Sequence, residues 1–138
     1  MWNKKNIIDY RSVKKVHVMG MWFDSKAESA MYLWLRDKEK SGELFNIRHQ
    51  VKIQLLPGPL KFQRNYKVDF AATLPNGEEK YFEVKGWETD RWKANRLLWR
   101  HLGPGVLEIW KVKWGGLELT EEIVPDNSHL IERLKVIK

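Results

Sequence analysis

The chain has 138 residues, enough for one compact domain and too few for two hydrophobic cores. Its 43% hydrophobic and 31% charged residues exclude a disordered chain, and no apolar run approaches the ~20 residues of a membrane span. Lys and Arg outnumber Asp and Glu by 25 to 18, a net charge of +7 that points to a polyanionic partner, while the absence of cysteine excludes a disulfide scaffold and a thiolate zinc site.

Residues 1–22 read as a basic arm, with Lys4, Lys5, Arg11, Lys14 and Lys15 against the single acid Asp9. Trp2, Tyr10, Met19, Met21 and Trp22 are interspersed among them. Such an arm either packs its aromatics irregularly on the core or serves to form a dimer or contact DNA, in which case Lys14 and Lys15 are the candidate contacts. Residues 1–11 carry charges throughout and show no apolar signal-peptide core, so a cytoplasmic location is expected.

Ser25 followed by Glu28 is a capping-box pattern, and Ala27, Ala30, Met31, Trp34 and Leu35 recur at helical spacing. These residues predict a helix from about Lys26 to Ser41, stopped by Gly42. Ile47, His49, Val51, Ile53 and Leu55 then alternate with polar residues as a strand that Pro57, Gly58 and Pro59 terminate. A second strand is expected from Tyr66 to Leu74 and a third from Lys80 to Trp87, joined through Asn76-Gly77 as an antiparallel hairpin. Thr89 or Asp90 caps a second helix reaching about His101, with Trp92, Leu97, Leu98 and Trp99 as its apolar members. Val106 to Trp114 reads as a further strand, followed by a short strand near Leu117 to Val124 and a closing helix from about Ser128. The division expected is a basic arm over 1–22, a core over 23–112 and a tail over 113–138.

Period-2 alternation puts Tyr81, Glu83, Lys85 and Trp87 on one face of the third strand, so an acid and a base project together. By itself an E-x-K triplet describes any solvated strand face. Asp69 changes this, because a carboxylate amid Val68, Phe70, Ala71 and Ala72 is a poor strand former in apolar company. Two carboxylates held close together in a half-buried site repel, and a divalent cation offsets that cost; all-oxygen ligands suit Mg²⁺, with Mn²⁺ as a substitute. Such a metal lowers the pKa of a bound water and neutralises charge on a phosphoryl oxygen, and a neighbouring lysine can orient that water or help deprotonate it.

The hairpin register decides whether this site can exist. An even loop centred on Asn76-Gly77 pairs Asp69 with Val84 and sends the two carboxylates to opposite faces. An odd loop, or one bulge, slides the pairing by one residue and sets Asp69 opposite Glu83, so an irregularity is predicted there.

Asp69, 13 intervening residues and then Glu83-Val84-Lys85 resemble the motif of the PD-(D/E)xK nuclease superfamily, with Val68 in place of the proline that commonly precedes the Asp. The resemblance spans roughly Phe23 to Val112. It implies an α/β fold with a restriction-endonuclease-like core, a mixed central β-sheet flanked by helices. It also implies catalytic roles for Asp69, Glu83 and Lys85 and, from the upstream helix, Glu28, whose null role is that of a helix cap. The implied metal ligands are Asp69, Glu83, the backbone carbonyl of Val84 and Glu28, directly or through a water. Within the superfamily the chain looks most like small phage proteins and archaeal-type Holliday junction resolvases. That likeness implies a homodimer nicking branched DNA such as a four-way junction, leaving 5′-phosphates. Repair, restriction and transposon-end nucleases share the same core, and a non-catalytic DNA-binding module or an acidic-protein binder are the rival readings.

For DNA contact the second helix offers Arg91, Lys93, Arg96 and Arg100, of which Lys93, Arg96 and Arg100 fall close to one side; a solvated helix face is the plain alternative. Of the eight tryptophans, Trp34 and Trp110 are expected in the core, while Trp2, Trp22, Trp87 and Trp114 have no obvious core position. The four histidines show no metal-ligand spacing and are assigned no catalytic role.

Overall fold

The computed structural model describes residues 15–59, 63–86 and 88–126. Along the chain it has β1 (Val16–Val18), β2 (Met21–Phe23), α1 (Lys26–Lys40), β3 (Phe45–Leu56), β4 (Arg64–Thr73), β5 (Glu79–Val84), α2 (Asp90–Leu102), β6 (Val106–Lys113) and β7 (Gly116–Ile123). Lys14, Trp2, Trp87 and the closing helix expected from Ser128 lie outside the described residues.

Both helices begin and end for local reasons. Ser25 Oγ accepts the Glu28 N–H at 3.1 Å, and Thr89 Oγ1 accepts the Trp92 N–H at 3.1 Å, each satisfying a donor that the first helical turn leaves free. At the far end of α1, Gly42 takes φ +80°. Its N–H donates to Glu39 O, and the Glu43 N–H donates to Lys38 O, which is the Schellman closure.

β3 to β7 form one five-stranded sheet in that order, antiparallel throughout except for the parallel pair β5 and β6. A parallel pair needs a long crossover, and α2 supplies it. α1 packs Met31, Tyr32 and Leu35 against Phe23, Phe70, Ala72 and Phe82. On the opposite face α2 packs Trp92 and Trp99 against Tyr66, Val68, Ala71, Tyr81 and Leu107. The molecule is therefore a mixed α/β domain whose central sheet is covered by helices.

Several expectations need correction. Residues 16–23, expected as part of an irregular arm, form the β1–β2 hairpin, with Phe23 buried under α1 and Trp22 turned outward. The expected tail supplies β7, which pairs along β6 and completes the sheet. The third strand stops at Val84, so Lys85 lies just past its end, although the Lys85 N–H still donates to Trp110 O at 2.8 Å. Trp34 and Trp110 are only partly buried and pack on each other, whereas Trp92 and Trp99 fill the core. The reason is position: α2 lies across the strands where the sheet is widest in apolar residues, and Trp99 also donates its indole N–H to Gly105 O at 2.9 Å. Leu97, expected among the apolar members of α2, is exposed.

The β4–β5 hairpin has the odd register. Phe70 pairs with Phe82, Ala71 with Tyr81, Ala72 with Lys80 and Thr73 with Glu79. Leu74 and Glu78 close the loop, with the Leu74 N–H donating to Glu78 O, so three residues remain: Pro75, Asn76 and Gly77. Pro75 presets the first turn position, the Gly77 N–H donates to Leu74 O, and Gly77 adopts φ +90°. This is a type I turn followed by a left-handed glycine, the usual three-residue solution, rather than the two-residue turn that Asn-Gly alone suggests.

A second irregularity lies directly beneath it. In β4, Tyr66 and Val68 pack on the α2 side while Phe70 and Ala72 pack on the α1 side, although all four have the same parity. In β3, Val51, Ile53 and Leu55 face α2 while Ile47 faces α1. Both strands reverse at one level, where Gln50 takes φ +53° and Gln50 and Asp69 drop out of the register that runs from Arg48 to Gln54. A left-handed residue interrupts the two-residue alternation, and Asp69 sits at that reversal.

Candidate active site

At the reversal the Asp69 side chain reaches across to β5: Asp69 Oδ2 accepts the Val84 N–H at 2.9 Å. In return Glu83 Oε2 accepts the Asp69 N–H at 3.1 Å. The two carboxylates thus replace the backbone pairing that the ladder would otherwise make here, which holds both in fixed positions. Glu83 is 4% exposed and Asp69 partly exposed, so the pair lies at the mouth of the core. Lys85 Nζ stands 3.2 Å from Glu83 Oε1 and 4.5 Å from the centre of the Trp92 ring.

Burial and then the neighbouring Glu83 charge push the Asp69 carboxyl well above its ordinary value, with the Glu28 charge adding to the effect and the Val84 N–H and Lys85 opposing it. Glu83 is raised by burial, against the pull of Lys85. The Tyr66 hydroxyl is buried beside the Glu83 carboxylate, and burial followed by the Glu83 charge raises it.

Glu28 comes to this site from α1. Its N–H is used by the cap, but its carboxylate does not fold back on the cap; it contacts His49 Nε2, and it is 5% exposed. His49 is the residue that sequence reasoning missed. It is stacked on Phe70 at 5.0 Å and lies 4.9 Å from Phe23, one residue before Gln50. Only the β3–β4 register places it there, and the long β3–β4 connection hides that register from the sequence. Gln50 in turn donates to Asp24 Oδ2 at 3.0 Å, tying the reversal to the start of α1.

The structure therefore brings Glu28, Asp69, Glu83 and Lys85 together, with the Val84 backbone between the carboxylates. It does not leave the expected basic face of α2 free. Arg96 makes a two-pronged pair with Glu121 on β7, and Arg100 lies 3.7 Å from the same carboxylate. Arg96 is thus tied to the sheet edge, while Arg100, Arg91, Lys93 and Lys15 are exposed.

The donors fit a hard, oxygen-seeking cation. Two raised carboxylates and the nearby Glu28 face one ammonium, and no described residue donates to Asp69 Oδ1. Among the described residues no three His, Cys, Asp or Glu side chains are arranged to enclose a metal.

Residues 8–117 match the family described as "Protein of unknown function (DUF1064)", and the chain is a member of it. No curated protein matches the chain. Among solved structures it is similar to the "Crystal structure of SSO0001", with 14% identity and a TM-score of 0.42. The likeness covers 78% of this chain and 55% of that one, so this chain spans about half the length of its neighbour. Among the described residues no helix is long and apolar enough to cross a membrane.

Proposed function

We propose that the protein is a metal-dependent endodeoxyribonuclease of the PD-(D/E)xK type, acting on branched DNA as a homodimer. The observation that supports this reading best is the odd hairpin register, which puts Asp69 across from Glu83 where the strand alternation reverses. A merely solvated E-x-K triplet would need neither the register nor the two reciprocal carboxylate bonds. Branch specificity and the dimer rest on the likeness to junction resolvases alone.

Asp69, Glu83 and the Val84 carbonyl would hold Mg²⁺, with Glu28 contributing directly or through a water. When bound, the metal acidifies a water and screens the charge that develops on the phosphoryl oxygens. Glu83 and the Trp92 ring hold the Lys85 ammonium at the end of β5, where it can donate to the attacking water or to a non-bridging oxygen. Hydrolysis forms the bond from water oxygen to phosphorus as the bond to O3′ breaks, leaving a 5′-phosphate. His49 keeps the Glu28 carboxylate turned towards the sheet and away from its own helix cap.

The test compares a labelled four-way junction with matched duplex and single strand, in Mg²⁺ and in EDTA, for wild type, Asp69→Ala and Lys85→Ala. Paired nicks at the junction are expected from wild type in Mg²⁺ alone, with each variant slower by about 100-fold or more. Equal cutting of every substrate would remove the branch specificity, and no cutting in Mg²⁺ or Mn²⁺ by protein that binds DNA would overturn the enzyme.

A further inference from the structure

Glu121 engages Arg96 and stands near Arg100 on the α2 face that charge spacing suggests for DNA, and a site that cuts DNA needs a path for the strand. A cleft of about 310 Å³ runs between the first half of β4 and the first turn of α2 and opens on Lys85. Lys67, Lys85 and Arg91 line it with Asn65, Thr89 and Asn95, and no carboxylate does. A second cleft, about 450 Å³, continues it past Arg91 to Arg64 and has Asp90 as its one acid. Two other clefts among the described residues differ in sign. One sets Lys38 and Lys80 against Glu43 and Glu108, and another sets Lys80 against Glu78, Glu79 and Glu122.

The clefts are also built to keep their shape. Arg64 Nε donates to Asn95 Oδ1 at 2.8 Å across the two walls, joining β4 to α2. Thr89 caps α2 there, so the free N–H groups of a 13-residue helix face the same region as the cations. Tyr66, buried beside Glu83, is part of the lining, so the cleft leads straight to the carboxylate pair.

We propose that this cleft seats the phosphodiester backbone of the strand being cut, through Lys67 and Arg91 flanking Lys85, and that Arg96 and Arg100 carry no part of DNA binding. The assignment rests on the nuclease reading for its orientation towards Lys85. It stands on the cleft's own charge for the binding itself.

The test is the anisotropy of a fluorescein-labelled four-way junction titrated with full-length protein in EDTA, repeated over a series of salt concentrations. Lys67→Gln with Arg91→Gln is expected to weaken binding about 10-fold or more and to lower the slope of log affinity against log salt by about 2, one per lost phosphate contact. Lys67→Arg with Arg91→Lys should restore the slope, since it keeps both charges. Arg96→Gln with Arg100→Gln should leave both quantities unchanged in protein that circular dichroism shows to be folded. Loss of slope in that last pair and not in the first would overturn the proposal, as would no DNA binding by the wild type. Because cleavage is absent from this assay, a slope change at Lys67 and Arg91 in a protein that never cuts would remove the nuclease reading and keep the cleft.

Discussion

Replacing Asp69 by Asn tests whether the paired carboxylates are strained without a cation. Asparagine can still accept the Val84 N–H through its amide oxygen, so the strand geometry is kept while the charge goes. Two losses oppose the change: the bond from Val84 falls from a charge-assisted to a neutral one, costing about 1 kcal/mol, and the attraction of Lys85, partly exposed, is worth about another 1. On the other side stand the desolvation of a largely buried carboxylate and its repulsion by Glu83 and Glu28. A buried ion costs several kcal/mol, which partial exposure reduces here to about 3. Desolvation wins, and Asp69→Asn should stabilise the metal-free protein at pH 8 by about 1 kcal/mol, or roughly 3–5 °C in Tm for a domain of this size. The pH dependence has a definite sign. Both carboxyls are raised in the folded protein, so the folded state holds protons that the unfolded chain has lost. Wild-type stability therefore falls as pH rises from the ordinary carboxylate range near 4 through the raised values, and the advantage of the variant grows over the same interval. Mg²⁺ at about a hundred times its dissociation constant should then stabilise wild type by about 2.7 kcal/mol and the variant by much less. Thermal unfolding followed by tryptophan fluorescence at pH 4.5 and pH 8, in EDTA and in Mg²⁺, measures all four values. A variant less stable than wild type by the same amount at both pH values, or stabilised equally by Mg²⁺, would refute the reasoning.

Two further outcomes follow from individual residues. His49→Ala should slow Mg²⁺-dependent cleavage by about 10- to 100-fold, as removal of a carboxylate's supporting partner commonly does, with His49→Gln recovering part of the rate; a rate like wild type would show that Glu28 needs no such support. Gly105→Ala should cost about 1–3 kcal/mol in a urea melt, because a Cβ there would stand 2.7 Å from the Glu79 carbonyl oxygen, a backbone atom of the neighbouring strand with no room to rotate away; an unchanged midpoint would contradict that contact.

Much of this protein is legible from local pattern. Ser25, Gly42 and Thr89 mark helix ends because a cap acts within one turn, and the alternation of residues 45–56 needs only the period of a strand. Asp69, Glu83 and Lys85 could be singled out because a carboxylate in an apolar strand is costly wherever the strand lies, and the parity of one short hairpin loop decided whether they could meet. What pairwise, long-range packing decides was not in reach. The partner of Arg96 and Arg100 is 25 residues away from Arg96 along the chain on β7, so only the folded sheet shows that an acid stands against part of the basic face of α2. The contact of His49 with Glu28 spans 21 residues, and the cleft at Lys67 and Arg91 exists only between β4 and α2. Side-chain type and spacing determine which groups a chain carries and how each element begins and ends; which of those groups stay free to act is settled by what the other elements bring beside them.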